Sequence, residues 1–226
     1  MLDVATGPGY VAERAQARGA LPVGIDIAEG MLEAARQRHP DLRFVRADAE
    51  QLPFDDGSFE AVVGGFVVNH LPNPERAVAE AARVICPGGR VAFSVWDRPE
   101  RMRVIGVVSD AIEAAGVERE APIPSGAPDP YRFADDSEFQ ALLRDAGLAE
   151  VTVETIDLTH RVSDAEELWR GLLGSSVRSA ALIRAQPEEV RRLIRAELEP
   201  VVESYRQADG ALELPVAAKI GAGRLE

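Results

Sequence analysis

Leu2-Asp3-Val4-Ala5-Thr6-Gly7-Pro8-Gly9-Tyr10-Val11-Ala12 reads as a short apolar strand, a glycine-rich turn and the first turn of a helix. Glycine carries no Cβ, so such a turn lets a ligand approach the backbone closely, and the helix that follows offers unpaired N–H groups. Within the stretch, Gly7-x-Gly9-x-x-Ala12 matches the spacing of a dinucleotide fingerprint. The match alone does not choose between a nicotinamide and another adenosine cofactor, or between a ligand site and an ordinary tight turn.

Outward from this turn, short β-branched runs alternate with helical periodicity as far as Gly89, the pattern of βαβ units around a parallel sheet. The expected strands are Leu2 to Ala5, Pro22 to Asp26, Leu42 to Arg46, Ala61 to Val63 and Arg90 to Trp96. Helices are expected over about Val11 to Arg18, Met31 to Arg38 and Glu75 to Ile85, the last stopped by Pro87-Gly88-Gly89, which cannot continue a helix. A further helix is expected around Val104 to Ala115, then a proline-rich loop over Ala121 to Pro130. Ser137-Glu138-Phe139-Gln140 has the form of a capping box opening a helix with Phe139, Leu142 and Leu143 on its apolar face. Val151 to Leu158 is the expected sixth strand and Ala211 to Lys219 the seventh. Between them a second capping box, Ser163-Asp164-Ala165-Glu166, precedes a helix with Leu168, Trp169 and Leu172, and a longer helix follows over Glu188 to Tyr205. This helical pair reads as core packing, with a substrate lid as the other reading. The expected architecture is therefore α/β: a Rossmann-like, seven-stranded, mostly parallel sheet with helices on both faces and a helical insertion before the last strand. Residues 1–226 read as a single domain.

Composition narrows the partners. The 226 residues carry 25 Lys+Arg against 38 Asp+Glu, a formal net charge of -13, so the surface repels phosphate backbones and anionic lipid. Nucleic acid and membrane are not expected as partners. Cys86 is the only cysteine, and His39, His70 and His160 have no metal-ligand spacing, so neither an internal disulfide nor a metal is expected. The longest apolar run, Ala61 to Val68, falls far short of the roughly 18 residues a membrane span needs. Met1-Leu2-Asp3-Val4 has none of the pattern of a signal peptide, and a cytoplasmic protein is the expectation.

Two acidic residues sharpen the glycine-rich turn. Asp26 closes the second strand, where a carboxylate can accept both hydroxyls of a ribose, and Asp48 closes the third, at the same carboxyl edge where open α/β sheets bind ligands. Either alone reads equally as a helix cap or a turn residue. Asp3, a charge inside the first strand, suits an amino-acid tail better than a pyrophosphate.

With these residues in place, the sequence resembles the class I S-adenosylmethionine-dependent methyltransferases, in particular the small-molecule branch that includes the ubiquinone and menaquinone methyltransferases. The resemblance lies in Leu2 to Gly9, in Gly24-Ile25-Asp26-Ile27-Ala28-Glu29-Gly30-Met31-Leu32 and in Asp48-Ala49-Glu50-Gln51-Leu52-Pro53-Phe54-Asp55-Asp56-Gly57-Ser58-Phe59-Glu60. It continues through Asn69-His70-Leu71-Pro72-Asn73-Pro74 and Arg83-Val84-Ile85-Cys86-Pro87-Gly88-Gly89, covering roughly Leu2 to Trp96. It implies S-adenosylmethionine as cofactor and a small-molecule acceptor. Asp3 and the loop of Ala5, Thr6, Gly7 and Gly9 would hold the methionine end, and Asp26 the ribose. Ile27 would pack on the adenine, Asp48 accept from its amino group and Ala49 offer a backbone N–H. Gly65 and Phe66 would line the cofactor near the sulfonium, and Met31 completes the cofactor-binding set.

Met1 begins inside the first strand, whereas this family carries a helical segment before it that covers the cofactor. The expectation is a shortened version of a longer product, or a cover supplied by the Ser163 to Tyr205 helices or by the second subunit of a homodimer. The regions 98–132 and 163–207 are expected to shape the acceptor side. His70, after the fourth strand, is the candidate catalytic base, its ordinary pKa near 6.5 suiting proton uptake at neutral pH, and the alternative is a histidine that only hydrogen-bonds a neighbouring loop. His160, Tyr131, Trp96 and Trp169 are weaker candidates for acceptor contact, and Cys86 reads as a structural thiol. A nicotinamide-dependent oxidoreductase and a catalytically silent binding protein of this fold are the competing functions.

Overall fold

The structure, a computed structural model, describes residues 1–117, 129, 131–175 and 177–226. The strands are β1 (Leu2–Val4), β2 (Val23–Asp26), β3 (Arg43–Arg46), β4 (Phe59–Gly65), β5 (Ile85–Trp96), β6 (Ala149–Val162) and β7 (Leu212–Arg224). They form one seven-stranded sheet in the order β3-β2-β1-β4-β5-β7-β6. The pairings β1–β2, β1–β4, β2–β3 and β4–β5 are parallel, as the βαβ alternation requires. The helices are α1 (Tyr10–Gln16), α2 (Glu29–Arg38), α3 (Pro74–Val84), α4 (Arg103–Ala114), α5 (Asp136–Asp145), α6 (Ala165–Ser175), α7 (Val177–Arg184) and α8 (Glu188–Val202). The expected Rossmann-like architecture, helical insertion included, is the observed one.

The described residues fall into two compact units, the first built from Met1–Trp96, Pro128–Thr155 and Lys219–Glu226, the second from Asp97–Ala127 and Ile156–Ala218. In the first unit every residue of β1 is buried, and Leu2, Val4, Ile25, Val62, Val91 and Phe93 pack with Val78, Ala81 and Val84 of α3 and Phe139 and Leu143 of α5. A second apolar cluster joins Ala12 of α1 and Leu32 and Ala35 of α2 to Phe44 of β3. The only lysine of the sequence, Lys219 on β7, is 6% exposed, and its ammonium is paired with the Asp136 carboxylate at the start of α5.

The second unit has its own core, in which Val107, Val108 and Ile112 of α4 meet Leu168, Trp169 and Leu172 of α6 and Ile194, Leu198 and Val202 of α8. Core packing is thus what the expected helical pair does, although Leu193 of α8 is exposed. The proline-rich loop expected over Ala121 to Pro130 lies outside the described residues except for Asp129.

Several local expectations need correction. Both capping boxes are displaced by a nearby aspartate that takes the capping role from the serine. The α5 cap is Asp135, whose carboxylate accepts from the N–H groups of Ser137 and Glu138. At α6, Asp164 accepts from Glu167 N at 2.8 Å while the Glu167 carboxylate accepts from Ser163 N at 2.7 Å, so the reciprocal pair sits one residue later than predicted. Pro87-Gly88-Gly89 does not separate helix from strand. Phe59 pairs with Ile85 and Ala61 with Arg90, so Cys86 to Gly89 bulge out within β5. α7 was not expected at all.

Candidate functional site

Because β3, β2, β1 and β4 are adjacent and parallel, the segments leaving their carboxyl ends share one edge of the first unit. The glycine-rich loop starts there. Ala5 (φ 53) and Gly7 (φ 53) both take left-handed backbone, and Thr6 N donates to Ile25 O at 2.8 Å, fastening the loop to β2. Gly9 is the N-cap of α1 with φ 86, and a Cβ built on it would lie 2.9 Å from both His39 Cδ2 and Phe44 Cζ. Both its conformation and its space demand glycine.

Asp3 is 1% exposed and organises this loop from below. Its Oδ2 accepts from Thr6 Oγ1 at 2.6 Å and from Ala12 N at 3.1 Å, so one carboxylate oxygen fixes both the turn and the first turn of α1. Burial pushes its carboxyl up to about 6, a rise that the two hydrogen bonds oppose and the charge of Asp26 assists.

Asp26 stands at the end of β2. Its Oδ2 accepts from Gly7 N at 3.0 Å and its Oδ1 from Ala28 N at 2.9 Å, bracing the glycine-rich loop against the start of α2. Each oxygen so engaged keeps acceptor capacity for one more donor, which is what two vicinal hydroxyls require. Next along the same edge, Ile27 is 62% exposed and Met31 47% exposed, with Tyr10 and Val11 of α1 also open to solvent. The carbonyl of Ile27 accepts from Arg46 Nε at 3.2 Å, which holds the exit of β2 against that of β3.

After β3, Asp48 is exposed and its Oδ1 accepts from Glu50 N at 2.9 Å in a tight turn, with Ala49 buried between them. The turn is held at its far side too. Glu50 accepts from Asn73, and α3 grips the following residues, since Glu80 accepts from Leu52 N while Arg83 donates to Leu52 O and Phe54 O.

At the end of β4, Gly65 is followed by Phe66 with φ 56, an uncommon conformation for an aromatic residue. Phe66 N donates to both Ser94 O (2.9 Å) and Ser94 Oγ (3.1 Å) on β5, and the ring stacks on Trp96. His70 closes a short 3-10 turn (Val68–His70) and is exposed, with its Nε2 3.4 Å from Nδ2 of the buried Asn69.

The structure thus joins Asp3, Thr6, Gly7 and Asp26 by direct hydrogen bonds, whereas Asp48 is turned onto its own loop. Sequence reasoning does not assign the supporting roles of Ala12, Arg46, Ser94 and Asn73. Only Ala12 had a signal, its place at a helix N-terminus.

Residues 2–93 match the family model described as the methyltransferase domain. These residues belong to the class I S-adenosylmethionine-dependent methyltransferases. The chain is 38% identical over 99 residues to a demethylmenaquinone methyltransferase of Renibacterium salmoninarum, covering 44% of this chain and 42% of that protein. Similarity to the ubiquinone/menaquinone biosynthesis C-methyltransferase of Methylobacterium nodulans is 34% identity over 171 residues, 67% of this chain and 66% of that protein. The matches thus span less than two thirds of the length of these curated relatives. In fold, the chain resembles a Bacillus halodurans protein with a TM-score of 0.60 at 23% identity, over 99% of this chain and 90% of that one. It also resembles the phosphoethanolamine N-methyltransferase 2 of Haemonchus contortus, with a TM-score of 0.57 at 15% identity over 100% of this chain and 49% of that one.

Proposed function

We propose that the protein transfers a methyl group from S-adenosylmethionine to a small-molecule acceptor. The observation that carries this reading is the buried carboxylate of Asp3 on the N–H of Ala12. A dinucleotide fold uses the N-terminus of that helix to hold a pyrophosphate, and here an anion of the protein already occupies it. With Asp26 and Asp48 on the same edge, the site suits a ligand bearing an ammonium and a sulfonium and opposes a pyrophosphate. The names of the relatives, methyltransferases of menaquinone and ubiquinone biosynthesis, support the same reading.

Asp3 and the loop of Ala5, Thr6, Gly7 and Gly9 are assigned to the methionine end, Asp26 to the ribose, Ile27 and Met31 to the adenine face, Asp48 and Ala49 to its polar edge, and Gly65 and Phe66 to the sulfonium side. When bound, S-adenosylmethionine would supply an electrophilic methyl group on its sulfonium to a nucleophilic atom of the acceptor. The protein's part is to hold the acceptor in line with that methyl group. His70 takes the proton of an acceptor that arrives protonated. Residues 98–132 and 163–207 are assigned to acceptor specificity within a single methyltransferase domain. A cytoplasmic enzyme without nucleic acid or membrane partners goes with this reading, supported by the net charge of -13; among the described residues no helix is long and apolar enough to cross a membrane. A homodimer is the assembly to test beside it, by sedimentation.

Calorimetric titration with S-adenosylmethionine, S-adenosylhomocysteine and, as control, NAD tests the proposal. Saturable binding of the first two, lost in Asp26→Ala, is expected. Binding of NAD alone would favour the oxidoreductase, and binding of none of the three the silent fold.

A further inference from the structure

Asn73 is the N-cap of α3, yet its side chain makes no cap hydrogen bond. Asparagine is among the best capping residues because its side-chain oxygen can accept from the first turn of the helix, so leaving that role unused calls for a reason. The amide is turned to Glu50 instead. Asn73 N donates to Glu50 Oε1 at 2.9 Å and Asn73 Nδ2 to Glu50 Oε2 at 2.8 Å, a two-pronged, charge-assisted contact between residues 23 apart in the chain.

The two residues sit on opposite arms of the candidate site. Glu50 N donates to Asp48 Oδ1, and Gln51 N donates to Asp48 O at 3.1 Å, so Glu50 is rigidly continuous with the Asp48–Ala49 turn. Asn73 lies between Pro72 and Pro74, three residues after His70. Proline fixes its own φ and restricts the residue before it, so Leu71 to Pro74 is a stiff tether and not a slack loop. Restraint applied at Asn73 is therefore transmitted to the turn of Val68–His70.

We infer that Glu50 and Asn73 are positioning residues, a latch that makes the Asp48–Ala49 turn and the Val68–His70 turn move as one body. Neither touches the reacting atoms. Its consequence, resting on the cofactor reading above, is that ligand bound against Asp48 and Ala49 also restrains the segment carrying His70.

Hydrogen exchange on the full chain tests this with and without S-adenosylhomocysteine. Asn73→Ser is the informative variant, because serine caps helices well and removes only the Nδ2 donor, and Glu50→Ala cuts the other side. In the ligand-free protein, Asn73→Ser is expected to speed exchange of the Glu50 and Gln51 amides by about tenfold while the amides of α3 stay within about twofold. Unchanged exchange at Glu50 and Gln51 would overturn the latch. With S-adenosylhomocysteine, protection over 67–73 is expected in the wild type and lost in both variants, while protection over 5–9 is kept in all three. Protection over 67–73 that survives in the variants would overturn the coupling. Absence of protection over 5–9 in the wild type would count against the cofactor reading, and the ligand-free comparison would still decide the latch.

Discussion

The ring of Phe66 lies flat against the indole of Trp96, centroids 3.8 Å apart and planes 16° from parallel. The contact spans the ends of two neighbouring strands, and it exists because Ser94 holds the Phe66 N–H through both its carbonyl and its hydroxyl. Left-handed backbone at a phenylalanine costs on the order of 1–3 kcal/mol, and such outliers persist where the surroundings over-determine them. A double-mutant cycle between Phe66→Leu and Trp96→Leu, read by urea denaturation, is expected to give a coupling energy of about 0.5–1.5 kcal/mol. Additive effects of the two substitutions would mean that the rings are merely adjacent.

Asp3 binds its proton more tightly in the native chain than in the unfolded one, since burial raises its carboxyl from 3.8 to about 6. Its contribution to stability is therefore fully present below about pH 3.8 and lost as pH rises through 6. Compared with Asp3→Asn, which keeps a side-chain acceptor for Thr6 and Ala12, the wild type should lose on the order of 2 kcal/mol between pH 4 and pH 7. Denaturation curves of both proteins across that range check the sign, and a gap that stays constant or moves the other way would refute it.

Two glycines of the same loop separate strain from crowding. A Cβ at Gly7 meets nothing within 4 Å, whereas at Gly9 it meets His39 and Phe44 at 2.9 Å. Gly7→Ala is expected to cost only the left-handed backbone term, about 1–2 kcal/mol, and Gly9→Ala clearly more. Equal losses in chemical denaturation would show that α2 and β3 give way freely at Gly9.

His70→Ala should lower turnover by roughly 10²- to 10⁴-fold and leave the affinity for S-adenosylhomocysteine nearly intact. The 3.4 Å approach of Asn69 to the ring shows the local partner that would serve a purely structural histidine. Turnover at the wild-type level in the variant would assign His70 to that role.

Much of the first unit is legible in the chain because its strands are short apolar runs separated by glycine and proline, and a parallel strand buried on both faces has no other appearance. Asp26 at the strand end and Gly9 at the helix start follow from the same logic. The misreadings have local causes. Asp164 stands next to the serine chosen as a cap and Asp135 two residues before the other, and a carboxylate competes well for the N–H groups of the first turn. The short helix Val177–Arg184 has only eight residues, too few for periodicity to speak. For Asp3 the family resemblance implies a place at the methionine end of the cofactor, and the structure adds its grip on Thr6 and Ala12. Glu50 and Asn73 are unreadable as a pair, because a contact across 23 residues depends on where β4 and α3 put the chain.

Lys219 turns the chain into its own gauge of opening. An acylating reagent finds one ε-amino group in this protein, and the native fold hides it against Asp136. Labelling at that residue therefore proceeds only as fast as β7 and the start of α5 part, and its rate measures the breathing of the sheet's far strands with no probe introduced by mutation.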